Sequence, residues 1–401
     1  MTRARTNDGY EREYKPKTKP EPRTVHKTQE PETVVNVGSM DYTIYLVVVL
    51  LTLIGVVMVF SASYVDAANR VRFNNDAFYF LRRNGLMALG GFVLMNIVAH
   101  VNYEHYRRLA PLIFLITIGL LVAVVFIGVT TQGAQRWLPF PVIRQFQPSE
   151  VAKAATIFIF AYMIEKSPKA LHSWKGLFFF LLVLSIVALL VFYGGFSSGL
   201  IVTVIGLGMI FIASPHIWRF IVIGGLGAAG AAAVLTFGPG FRIARIRAWQ
   251  DPWAYSCGIG FQTIQSLYAI ASGGLFGSGI GQSRQATFVP EAHHDIIFAI
   301  VVEELGLIGA GMILLLFAIL IWRGIKVALN AHSTFAAMTA IGIVLAFAFQ
   351  ALINVAVVTN TIPNTGVTLP FISYGGTSLI VSMALTGVLL NISKYTKAKD
   401  R

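Results

Sequence analysis

Apolar and polar positions in this chain do not alternate but separate into long blocks. Runs of Leu, Ile, Val, Phe, Ala and Gly occupy residues 43–63, 84–101, 110–128, 150–165, 174–193, 199–214, 217–237, 296–322, 334–358 and 376–393. A helix crossing a hydrocarbon core roughly 30 Å thick needs about 20 such residues, and lipid cannot satisfy an open sheet edge. The runs are far longer than the alternating segments of about ten residues that build a membrane barrel. The pattern predicts an all-α polytopic membrane protein with ten transmembrane helices spanning residues 43–393.

Most connections are short, such as YGGFSS at 193–198 and SPHIW at 214–218. Three are not. Residues 129–149 are polar and contain proline, and residues 359–377 carry Pro363, Pro370 and glycines that predict a rigid re-entrant turn. The third, residues 238–295, is the longest and lies between helices 7 and 8 as a large extracytoplasmic loop. Its aromatic content argues against disorder, and loops of this length are commonly functional. Within it, FQTIQSLYAIAS places Phe261, Ile264, Leu267 and Tyr268 on one face, which predicts a helix lying on or dipping into the membrane. No tandem repeat, inverted repeat or pair of broken helices is evident.

Composition sharpens this picture. The chain has 401 residues, is 56% hydrophobic and only 12% charged, and has a mean hydropathy of +0.70. Soluble domains are about 25% charged. The single cysteine, Cys257, excludes an internal disulfide and a cysteine-rich metal site. Residues 1–42 are rich in Lys, Arg, Glu, Pro and Thr, which predicts a disordered cytoplasmic tail rather than a cleavable signal peptide. Its bases and acids nearly cancel, so the net charge of +13 belongs mostly to the membrane part. No basic, aromatic-interleaved patch offers a nucleic acid a surface, and anionic membrane lipids are the expected partner for this charge.

An even number of spans places both termini on one side, expected to be cytoplasmic, with 394–401 as the cytoplasmic C-terminus. Cytoplasmic bases only slightly outnumber those outside, a weak positive-inside signal. The outward set includes Arg70, Arg72, Arg83, Arg136 and Arg284, and a face that holds an anionic substrate explains it.

Ionisable groups within membrane spans are costly and point to function. Glu150 and Lys153 stand three apart near the outer end of a helix and share a face, either as a structural ion pair or as a pair lining a polar cavity. Beyond the tail, acids crowd into FVPEAHHDIIFAIVVEELG at 288–306. Asp295 is expected in the first turn of the long span after Pro290, where it either complements the helix dipole or serves a site with Glu291, His293 and His294 beside it. Glu303 and Glu304 lie deeper and suit structural pairing. GFSSG at 195–199 lacks the strand a nucleophile elbow requires, and GSGIG at 277–281 lacks a βαβ setting. Adjacent histidines point apart on a helix, so His293, His294 and Asp295 supply one or two weak metal ligands at most.

Taken together, QPSEVAK (147–153), RW (136–137), SGGLFGSGIGQSRQ (272–285), PEAHHDIIFAIVVEELG (290–306) and PNTGVTLPFISYGGTS (363–378) resemble the SEDS family. Its members, the FtsW, RodA and SpoVE proteins, polymerise peptidoglycan from lipid II. The resemblance covers roughly 43–393 and is greatest to the FtsW/SpoVE branch; the elongation branch carries Gly-Thr-Gln where Ser283, Arg284 and Gln285 stand here. It implies that Asp295 is the catalytic residue, that Glu150 and Lys153 line the same central cavity, and that Trp137 lies near its entrance. It also implies substrate contacts for Arg136, Pro290, Glu291, His293, Pro370, Ser373 and Gly376, and Arg284 joins them as an outward base in the shared GQSRQ motif. Two departures stand out. His294 and Ile296 replace the usual Thr and Phe, which sets an imidazole beside Asp295, and GGFSSG replaces the usual acid-bearing P-D-x-G.

The implied function is lipid II polymerisation at the outer face of the bacterial cytoplasmic membrane, in cell division or sporulation. Asp295 would act as general base and polyprenyl diphosphate would leave, its charge met by Lys153, the outward arginines or a divalent cation, Mg2+ or Mn2+. Implied partners are lipid II, a class B penicillin-binding protein and other divisome proteins. The alternatives are a lipid II flippase and a division scaffold.

Overall fold

A computed structural model of the chain describes residues 35–131, 134–138, 146–225, 227, 240–289 and 291–397. The helices run, in chain order, α1 Tyr42–Asn69, α2 Tyr79–His100, α3 Tyr103–Ile127, α4 Pro148–Lys166, α5 Trp174–Gly194, α6 Phe196–Ala213, α7 Gly240–Gln250, α8 Phe261–Gly273, α9 Gln285–Phe288, α10 Ile297–Leu329, α11 Thr334–Val358 and α12 Gly376–Lys394. Among the described residues, nine long helices, α1 to α6 and α10 to α12, coincide with nine of the predicted runs. The remaining run, 217–237, is helical at 218–225 and 227 and otherwise lies outside the described residues, as do residues 1–34 of the predicted tail.

Seven of the long helices are long and apolar enough to cross a membrane. The other two, α2 and α4, have 22 and 19 residues but carry charge near their starts, Arg82 and Arg83 in one and Glu150 and Lys153 in the other. Leu46, Leu86, Leu115, Phe178, Leu189 and Leu315 are exposed on the helices' outward faces. Such a surface is stable against acyl chains and would drive association in water. Side-chain oxygens start several helices: Asp41 Oδ1 accepts from the amides of Thr43 and Ile44 at 3.0 and 3.2 Å, Asn102 from Glu104, and Ser333 from Ala336.

The two ends of the bundle differ. At one, strand β1 (Val35–Val37) pairs antiparallel with β4 (Tyr395–Lys397), and Asp41 forms an ion pair with Arg323 at 2.6 Å. The structure thus gives residues 35–41, which the sequence assigns to the tail, a strand and a helix cap against the membrane part. The other end carries the long connections. There β2 (Val129–Thr131) and β3 (Ala134–Trp137) form a hairpin.

Two segments enter the bundle from that second end. The first is the predicted re-entrant turn. Its deepest point, Phe371, packs its ring on Phe347 at 5.1 Å, and its carbonyl lies so close to Gly55, midway along α1, that a Cβ there would sit 2.3 Å from the oxygen. The second fills a break that the sequence did not reveal. The long run at 296–322 is interrupted at Gly306, whose φ of 70° and ψ of −176° lie outside helical space. The glycine-rich loop after α8 plugs this gap. Ser278 and Gly279 donate their amides to the Glu303 and Glu304 carbonyls at 2.9 and 3.0 Å, while Leu307 and Ile308 donate to Gly274 and Leu275 at 2.9 and 3.2 Å. Both helix ends at the break are therefore satisfied inside the protein, as burial away from water demands.

Candidate active site

The long connections enclose a cavity of about 630 Å³ at the second end of the bundle. Its wall is assembled from the end of α1 (Asp66, Arg70), the start of α2 (Tyr79, Arg83), β3 (Arg136, Trp137), the start of α4 (Glu150, Lys153), the start of α6 (Ser197) and the turns before α10 and α12.

Asp295 stands on this wall. It lies two residues before α10 rather than in its first turn, because Ile296 is the N-cap and the backbone is pinned there. Asn354 Nδ2, from within α11, donates to the carbonyls of both Asp295 and Val367 at 2.7 Å. This single amide ties the catalytic candidate to the re-entrant turn. Gln262 Nε2, on α8, donates to Asp295 Oδ1 at 3.2 Å, and Gln262 Oε1 accepts from Asn364 at 2.9 Å. Gly366, with φ of 69°, faces the other carboxylate oxygen; a Cβ on it would lie 3.5 Å from Oδ2. Burial pushes the Asp295 carboxyl above its ordinary range, and His294 and the Gln262 amide pull it part of the way back.

The histidines are held in an aromatic stack. His293 lies 4.3 Å from the Phe80 ring, 4.8 Å from His294 and 5.3 Å from Tyr374. It is 1% exposed, and neither ring nitrogen has a partner among the described residues. Burial holds its pKa well below the usual imidazole range, and burial also lowers that of His294 against the opposing pull of Glu291 and Asp295. Burial raises the Tyr374 hydroxyl to about 12. Glu291 takes φ of 57°, which turns the chain so that Glu291, His293, His294 and Asp295 all reach one cavity.

The same wall carries cations. Lys153 Nζ and Glu150 Oε2 form a buried ion pair at 2.6 Å. Arg136 stacks over Trp137 at 5.8 Å; burial lowers its pKa, and the charges of Asp295 and Glu291 oppose that shift. Arg70 pairs with Asp66 at 2.6 Å. Arg72, Arg83 and Arg136 have no carboxylate within ion-pair distance among the described residues, which leaves three positive charges for a ligand.

Of the residues singled out in the sequence, the cavity brings together Asp295, Glu150, Lys153, Arg136, Trp137, Glu291, His293 and Gly376. Two others lie elsewhere. Arg284 is exposed and starts α9, where its amide donates to Glu303 Oε1 at 2.9 Å. Ser373 is buried within its own turn, its Oγ accepting from the Leu369 amide at 2.7 Å. Pro370 is buried beside it, and Pro290 lies outside the described residues. Glu303 and Glu304 serve structure: Glu303 gathers Ser283 and the α9 amides, and Glu304 accepts from Ser61 at 2.6 Å. The sequence reading missed Gln262, Asn354, Gln350, Asn364 and Tyr374. Gln350 and Asn354 carried a usable signal, being two amides four apart within an apolar run.

The fold and cavity define a multi-pass helical membrane protein with a charged chamber at one end of its spans. The family model described as cell cycle protein, covering FtsW, RodA and SpoVE, matches residues 41–398, and the chain belongs to this family. It is 40% identical over 362 residues to the probable peptidoglycan glycosyltransferase FtsW of Geobacter sp. (strain M18), covering 89% of this chain and 97% of that one. It is 39% identical over 364 residues to the stage V sporulation protein E of Bacillus subtilis (strain 168), covering 90% and 98%. Among solved structures, a chain from a peptidoglycan synthase complex that coordinates polymerization and crosslinking matches with a TM-score of 0.74 at 24% identity, covering 90% of this chain and 99% of its own. The rod shape determining protein RodA of Thermus thermophilus matches with a TM-score of 0.64 at 23% identity, covering 88% and 96%.

Proposed function

We propose that this chain is a peptidoglycan glycosyltransferase that polymerises lipid II, with Asp295 as its general base. The observation that carries the reading is the Asp295 carboxylate, raised in pKa by burial and aimed by Gln262 into a cationic chamber at the end of membrane spans. The activity named for the Geobacter relative supports it.

In the reaction the 4-hydroxyl of an N-acetylglucosamine attacks C1 of the N-acetylmuramic acid heading another chain. Asp295 takes the hydroxyl proton, the new C–O bond forms, and the bond from C1 to the polyprenyl diphosphate breaks. A carboxylate of raised pKa is a stronger base toward the hydroxyl proton. The diphosphate needs no acid catalyst to leave, unlike the sugar leaving groups of two-carboxylate hydrolases; it needs positive charge. Arg136 and Arg83 face the chamber without carboxylate partners and supply it. No cluster of three metal-ligating side chains occurs among the described residues. A divalent cation carried by the diphosphate would add to this positive charge.

This reading sets the chamber at the extracytoplasmic face and both termini in the cytoplasm. It makes a class B penicillin-binding protein the crosslinking partner, alongside other division or sporulation proteins. Transport, the competing activity, would use a broken helix as a substrate gate, but the break at Gly306 is filled by loop amides. In the test, purified full-length chain receives lipid II, with and without the partner, and products are resolved on a gel. Glycan strands from wild type and none from Asp295→Asn are expected. Undiminished polymer from Asp295→Asn would overturn the assignment, and lipid II crossing between leaflets without new glycosidic bonds would favour transport.

A further inference from the structure

The end of the bundle opposite the chamber carries a second concentration of positive charge. Between Lys166 and Gly225 the sequence contains no Asp or Glu, yet it holds Lys166, Lys169, Lys175 and Arg219. Arg219 is 5% exposed. Its Nη1 and Nη2 donate to the carbonyls of Leu171 and His172 at 3.0 and 2.8 Å, just before α5 begins. Its Nε is buried with no partner, and no carboxylate pairs with it among the described residues. A buried guanidinium without a counter-ion is costly, and its charge favours an anion held beside it at the surface.

The start of α5 adds to this field. Ser173 Oγ accepts from Gly176 at 3.0 Å. The Trp174 and Lys175 amides have no acceptor among the described residues, and they carry the positive end of a 21-residue helix. Lys169 and Lys175 are exposed around it. Arg219 lies 5.0 Å from the Trp174 ring, and Trp174 meets Trp218 edge to face at 5.4 Å. Both indoles are exposed at the end of apolar helices, the position that aromatic side chains take at a membrane interface.

We propose that this corner, formed by Lys169, Lys175, Arg219 and the first amides of α5 between Trp174 and Trp218, binds the phosphate of an anionic phospholipid. The occupant is a lipid rather than free phosphate because apolar side chains continue from the charged corner along the spans. Phe178, Phe179, Ile217 and Ile221 are exposed there and offer its acyl chains a track.

Native mass spectrometry of the detergent-solubilised full chain, titrated with phosphatidylglycerol or with phosphatidylcholine of the same chains, tests this. One phosphatidylglycerol is expected to bind tightly, and Lys169→Gln and Lys175→Gln are each expected to weaken it about fivefold. Lys326→Gln, at the same membrane end on α10, should leave the affinity unchanged. Equal affinity for the two lipids, an equal loss in Lys326→Gln, or displacement by excess inorganic phosphate alone would overturn the proposal. Because the lysines are exposed, their loss does not threaten folding, and the readout is independent of glycosyl transfer.

Discussion

Gln262 and Asp295, 33 positions apart in sequence, meet at 3.2 Å, with the Gln262 amide donating to the carboxylate. A donor on the ionised form stabilises it and lowers its pKa. Gln262→Leu removes that donor, so the Asp295 pKa rises. A general base must be ionised to act, so the acid limb of the pH–rate profile for glycan synthesis should move to higher pH. Activity at high pH should approach wild type. An unmoved limb with uniformly lower activity would show that Gln262 only shapes the cavity.

His293 predicts an acid-sensitive stability. Its folded pKa lies well below the ordinary value of 6.5, so the unfolded chain takes up a proton as pH falls through about 6.5 while the folded chain does not. Its contribution to stability is present at neutral pH and is lost on acidification. His293→Phe, whose ring joins Phe80 and Tyr374, should flatten the fall in thermal stability between neutral pH and pH ~5. A circular dichroism melt across that range checks it.

Gly55→Ala should loosen the re-entrant turn. Its methyl would lie 2.3 Å from the Phe371 carbonyl, an overlap of rigid backbone expected to cost about 1–3 kcal/mol or more. Protease cutting within 363–375 should then rise well before global unfolding. Gly38, at the other end of the bundle with nothing within 4 Å of where a methyl would sit, serves as the neutral control as Gly38→Ala.

The Glu150–Lys153 pair predicts a non-additive result. Lys153→Met strands a buried carboxylate, a loss of about 3–5 kcal/mol when one partner of a buried pair is removed. Glu150→Gln combined with Lys153→Met should recover most of that stability, as read from melting of the purified protein. Recovered stability without recovered polymer synthesis would assign the pair to the substrate, and recovery of both would assign it to the scaffold alone.

The apolar runs made nine of the helices legible because lipid imposes one length and one composition on every span. Glu150, Lys153 and Asp295 were legible for the complementary reason, since charge is rare and costly in such a setting. The break at Gly306 was not, because a glycine in an apolar run is ordinary and only the docked loop reveals its backbone. Asp295's position before α10 was equally hidden, being set by Asn354 from α11, a contact 59 positions away in sequence. Arg284 drew notice by its charge and Ser373 by its motif, but local hydrogen bonds hold both in turns of their own.

The hydrogen bonds across the break at Gly306 join loop and helix into one mechanical body. The 273–279 backbone is bonded to both sides of the gap, and Glu303 clasps the start of α9. A push on the exposed loop cannot be absorbed there; it passes into the short helix that starts just after Asp295. Any protein that grips this rim from outside therefore has leverage on the orientation of the carboxylate without entering the chamber.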